Sequence, residues 1–146
     1  MIQTKNPIDV VFDANVIVSG LRSSKGASFC LLQKIRESDP SLKLHLSTAV
    51  VLEYEEVLLR ELVPAFYQAD QIQLFLDDLV AASTRHAQIE AFRPVSQDPD
   101  DDSLIELAIT ADVQVLVTHN VRDFSTIREL GIDLLTPGQL LQRCNR

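Results

Sequence analysis

Short apolar runs alternating with longer stretches of helical period constrain this chain more than any other feature. Residues 8–12 (Ile8-Asp9-Val10-Val11-Phe12) read as a buried strand. A loop at Ser24-Lys25-Gly26 precedes a helix over 27–37, with Phe29, Leu32 and Ile35 setting its period. Pro40 marks a turn, 42–46 is a second strand, and Ser47 is a good N-cap for a helix over 48–62. Further helix is expected over 64–82, a short strand within 85–91 and an acidic loop over 94–101. A helix near 102–111, a strand over 113–118, a short helix around 124–130, a strand over 132–135 and a helix from Pro137 complete the chain. Strands joined by helix-length crossovers favour a mostly parallel sheet covered by helices on both faces. The 146 residues carry no repeat of fixed period and no low-complexity tract, so one domain over residues 1–146 is expected.

Composition narrows the chemistry. Cys30 and Cys144 belong to no C-x-x-C pattern, and Cys30, set among apolar residues, is expected in the core. His45, His86 and His119 are scattered, which argues against a soft transition-metal site. There is no apolar run of membrane-spanning length and no charged-then-apolar leader, so a soluble, cytoplasmic protein without a membrane role is expected. The net charge of −8 argues against a general basic nucleic-acid surface, though not against a nucleic-acid substrate.

The acids are better placed than they are numerous. Asp13 and Asn15 follow directly on the first strand, where Asp13 can ligate a cation and Asn15 can orient it; a helix N-cap is the competing reading. Glu53 borders the apolar stripe of Val50, Tyr54, Val57 and Leu58, whereas Glu55 and Glu56 are expected to point further toward solvent. A carboxylate beside a core-facing stripe is costly unless paired or ligating, and Arg60 is the alternative partner. The run Asp98-Pro99-Asp100-Asp101-Asp102 has more acids than capping needs, and Asp102, expected to open the next helix, is the best ligand candidate. In Thr118-His119-Asn120-Val121-Arg122-Asp123, the Thr and Asn can organise a site and Asp123 can add a carboxylate or cap the following helix. These positions fall at strand C-termini or at the starts of the helices that follow, and in a parallel sheet such positions share one edge. Carboxylates without His or Cys form a hard oxygen site suited to Mg²⁺ or Mn²⁺.

Taken in order, these segments resemble the PIN-domain family of metal-dependent nucleases, from Val10-Val11-Phe12-Asp13-Ala14-Asn15 to Ile132-Asp133-Leu134-Leu135-Thr136-Pro137. The branch they most resemble is the toxin components of prokaryotic toxin–antitoxin pairs. The resemblance implies a Rossmann-like α/β/α sandwich with a mostly parallel sheet of about five strands. It implies that Asp13, Glu53 and Asp102 match the family's first three acids, with Asp123 as a fourth. Many members place the last acid near Asn120, here an amide. Thr118 matches a position that organises the pocket. The family further implies endoribonuclease activity on RNA, homodimers and inhibition by a small antitoxin protein.

Two other readings stay open at this stage. A haloacid-dehalogenase-type phosphatase also begins strand-Asp-x-Asp, but Asn15 here removes the general acid. A non-catalytic binding module would keep the fold with a degraded metal site. For RNA to approach so acidic a site, cations must hold its backbone, and Arg22 and Lys25 are the best placed. Phe66, Tyr67, Leu74, Phe75 and Leu76 offer either core or an interface face.

Overall fold

The computed structural model describes residues 6–87 and 99–145. Five parallel strands form one sheet in the order β3-β2-β1-β4-β5. The central strand β1 (Ile8–Phe12) lies between β2 (Leu42–Ser47) and β4 (Val115–Val117), with β3 (Thr84–His86) and β5 (Asp133–Leu135) at the edges. Consecutive residues of β1 point to opposite faces, yet Val10, Val11 and Phe12 are all fully buried, so both faces are covered. Phe12 pairs with Val117 in register, which brings the C-terminal ends of β1 and β4 side by side.

The layers around the sheet are α1 (Ala14–Arg22), α2 (Ala27–Arg36), α3 (Thr48–Leu62), α4 (Ala69–Ala81), α5 (Pro99–Thr110) and α6 (Pro137–Cys144), with a 3₁₀ segment over Val121–Leu130. Helix α1 packs against α2 and α3, while α5 packs against α3 and β1. A Cβ on Gly20 would collide with the Leu32 side chain, so the glycine permits the close approach of α1 to α2. Ser47 caps α3 by accepting the Val50 N–H at 3.2 Å. Thr136 and Gln139 close a reciprocal capping box at the start of α6. Among the described residues no helix is long and apolar enough to cross a membrane.

Several elements depart from the sequence expectation. Helix α1 occupies a stretch to which no element was assigned. Helix α4 starts at Ala69, because Gln71 accepts the Gln68 N–H at 2.8 Å and the residues before it form a turn. Helix α5 starts at Pro99, so Asp100 and Asp101 belong to its first turn and not to a loop, and Asp102 is its fourth residue instead of its first. Asp98 and the remainder of the expected strand past residue 87 lie outside the described residues. Cys30 is exposed, not core. The buried face of α2 is Ser28, Leu31, Leu32 and Ile35, and at 100° per residue Cys30 falls on the opposite side. Of the apolar residues between 66 and 76, Phe75 and Leu76 are core, whereas Phe66 and Leu74 are exposed.

Candidate functional site

The ladder between β1 and β4 runs one residue past both strands: the Asp13 N–H donates to the Val117 carbonyl at 2.9 Å. Asp13 then takes the N-cap backbone position of α1, but its side chain makes no capping bond. The carboxylate instead accepts the Thr118 hydroxyl at 2.7 Å, across the sheet. Asp13 thus stands where a cap stands, with its carboxylate turned toward Thr118.

Thr118 is the fixed point of the network. It is fully buried, and its Oγ accepts the Asn120 N–H at 3.0 Å and the Asn15 side-chain amide at 3.4 Å. Asn15 Oδ1 in turn accepts the His119 N–H at 3.3 Å. The ends of the two central strands are therefore tied together by side chains from both.

Glu53 reaches this region through its neighbour. The Ser47 cap sets the phase of α3 so that Val50, Tyr54, Leu58 and Leu62 are buried. The Tyr54 hydroxyl donates to the Phe12 carbonyl, one residue before Asp13. Burial pushes the Tyr54 phenol well above its usual value, and the charges of Asp13 and Glu53 add to that push. Both carboxylates are thus felt at one hydroxyl. Glu53 is half-buried; Glu55 is half-buried as well, contrary to its expected solvent-facing position, while Glu56 is exposed. Arg60, the expected alternative partner for Glu53, lies 3.7 Å from Glu61.

Asp102 is half-buried in the first turn of α5, the helix packed on β1 and α3. Asp123 is exposed in the first turn of the 3₁₀ segment, with Asn120 in the N-cap position, so Asp123 is not the cap. The Asp13 carboxyl is raised above its ordinary value, mainly by burial. The Asp123 charge raises it further; the Thr118 hydroxyl, the Ala14 N–H and His119 pull the other way. Carboxylates are the donors that hard cations prefer. Among the described residues, no three His, Cys, Asp or Glu side chains form a ready-made metal cage.

Three features were not visible in the sequence. His119 Nε2 lies 2.9 Å from Ser19 Oγ, which donates to Ser28 Oγ at 2.7 Å. Asp9, His45 and His86 form a line across β1, β2 and β3, with His45 Nε2 at 2.9 Å from Asp9 and its Nδ1 at 2.8 Å from His86. The period-2 pattern of a strand puts Asp9 and Val11 on one face, but the parallel register that sets Val10 against Leu44, the residue before His45, is not readable from it. The third is a groove of about 490 Å³ lined by residues of α1 and α3, Asn15, Arg22 and Arg60 among them. Lys25, in the loop after α1, is exposed and does not line it. A cavity of about 680 Å³ lies instead beside β3, between Leu52 and His86.

A family model described as PIN domain matches residues 9–122. No curated protein sequence matches the chain. A chain in the crystal structure of VapBC2 from Rickettsia felis, bound to a DNA fragment from their promoter, shares the fold with a TM-score of 0.60. The two are 14% identical, and the alignment covers 88% of this chain and 98% of that one.

Proposed function

The chain belongs to the PIN-domain family, a nuclease class, and we propose that it is a metal-dependent endoribonuclease and the toxin component of a toxin–antitoxin pair. The observation that carries this reading is the orientation of Asp13, whose carboxylate leaves the cap position and lies half-buried under the influence of another acid. A buried carboxylate disfavoured by its surroundings is an effective site for a divalent cation.

In this reading Asp13, Glu53, Asp102 and Asp123 would hold Mg²⁺ or Mn²⁺. When bound, such an ion supplies an activated water and charge stabilisation for phosphodiester hydrolysis. Thr118 fixes the direction of the Asp13 carboxylate, and Asn15 and Asn120 hold Thr118 in turn. This is the outer-shell support that oxygen ligands need. Arg22 and Lys25 hold RNA phosphates. The VapBC2 neighbour, a pair seen on DNA from their promoter, supports a small protein partner, an antitoxin, for this chain. Homodimerisation in the cytoplasm completes the proposal.

The test is RNA cleavage by purified protein with Mn²⁺ or Mg²⁺ and with EDTA, beside Asp13→Asn. Cleavage that needs the metal and disappears in the variant supports the reading. Full activity in Asp13→Asn sinks it.

A further inference from the structure

Beyond the carboxylates, a groove between α1 and α3 carries two arginines and a glutamate. Asn15, which hydrogen-bonds the Thr118 hydroxyl, lies in its wall together with Ser19, Arg22, Arg60 and Glu61. The groove therefore leads directly off the Asp13 network. Glu61 sits between two guanidinium groups, 3.8 Å from Arg22 through one oxygen and 3.7 Å from Arg60 through the other. All three side chains are substantially exposed. Long, exposed pairs of this kind contribute little to stability, so the arginines are held in place without being committed.

Next to Arg22 stands Phe66, which is 53% exposed. Its position is built. The Phe66 N–H donates to the Leu62 carbonyl at 2.9 Å, and the Tyr67 hydroxyl anchors the turn to α1 through the Leu21 carbonyl at 2.8 Å. The Arg22 guanidinium lies 5.7 Å from the centre of the Phe66 ring. An exposed ring with a guanidinium beside it is a combination that binds single-stranded nucleic acid: a phosphate meets the guanidinium and a base stacks on the ring. Bases in a duplex are already stacked and cannot use such a ring.

Resting on the ribonuclease reading above, we infer that this groove is the track for a single RNA strand flanking the cleavage site. Arg22 and Arg60 bind a backbone phosphate, and Phe66 stacks a base. Glu61 occupies the phosphate position until RNA displaces it. The two guanidinium groups around Glu61 and the exposed ring beside Arg22 favour nucleic acid over an apolar protein helix as the occupant.

Fluorescence anisotropy with a short labelled single-stranded RNA in EDTA reads binding without cleavage. Phe66→Ala should weaken binding by about tenfold, as expected for loss of one stacked base, and Phe66→Tyr should restore it. Arg60→Gln should reduce the slope of log affinity against log salt by about 0.7, one phosphate contact on a single strand. Glu61→Gln should tighten binding severalfold. Duplex RNA of the same sequence should be indifferent to Phe66→Ala. The proposal is overturned if the parent binds no single-stranded RNA, or if Phe66→Ala and Arg60→Gln keep its affinity and salt slope. It is equally overturned if these variants lose a co-expressed protein partner while RNA affinity stays the same. Cleavage is assayed separately with Mn²⁺, so a parent that binds RNA through the groove but never cuts it refutes the nuclease reading alone.

Discussion

Strand β1 and its immediate extension present two aspartates to the same face of the sheet, and the protein treats them in opposite ways. Asp9 lies within the strand and meets His45, whose other nitrogen meets His86; the line ends within hydrogen-bonding distance at both steps. Asp13, four residues on, has a hydroxyl and a backbone N–H for company, and it also has burial and the charge of Asp123 against it. A polar group matched to its neighbours is a fastening. One held in place while its charge is left disfavoured is prepared to meet something else. The difference, more than the number of acids, is what makes the C-terminal end of the sheet the candidate site.

The comparison breaks most decisively at Asp13. Asp13→Asn should reduce metal-dependent RNA cleavage to background while the far-ultraviolet circular dichroism stays native. In EDTA the same variant should also be more stable than the parent at neutral pH. The folded-state carboxyl is raised above its ordinary 3.8, so what it contributes to stability is greatest below that value and is lost as pH rises through the raised one. Urea melts across that range should show the advantage of Asp13→Asn closing on acidification.

Thr118→Val keeps the shape and removes the hydroxyl. Loss of an orienting outer-shell partner should lower cleavage by about 10–100-fold, measured as kcat at saturating Mn²⁺. His45→Leu tests the other region. It leaves Asp9 and His86 without their shared partner and should cost about 2 kcal/mol of unfolding free energy in urea, with cleavage unchanged well below the melting temperature. Lost activity in His45→Leu, with the fold intact, would dissolve the distinction between the two regions. The smallest effect belongs to Asp123→Asn. Removing that charge should move the Asp13 carboxyl back down toward its ordinary value in metal-free protein, read by carboxyl ¹³C chemical shifts against pH.

The elements that follow hydrophobic period were readable in advance. Strand β1 and helix α3 have the expected bounds, and Ser47 caps α3 as its position implies. Helix α1 was not readable, because Val16, Ile17, Val18 and Gly20 are poor helix formers. Burial of Val16, Ile17 and Gly20 against the core outweighs that local preference. The candidate acids Asp13, Glu53, Asp102 and Asp123 could be named from strand ends and helix starts. Their partners could not. The Ser19–Ser28–His119 contacts and the Asp9–His45–His86 line join residues far apart in sequence, and they depend on register and helix phase that no single segment encodes. The groove depends on the same kind of information, since Arg22 and Arg60 come from different helices.

Tyr54 joins those two kinds of information. It is adjacent to Glu53 in the chain, and its hydroxyl grips the carbonyl of the residue before Asp13. One buried hydroxyl therefore couples the strand end that carries Asp13 to the helix turn that carries Glu53. A change at Tyr54 would therefore be felt at both carboxylates at once.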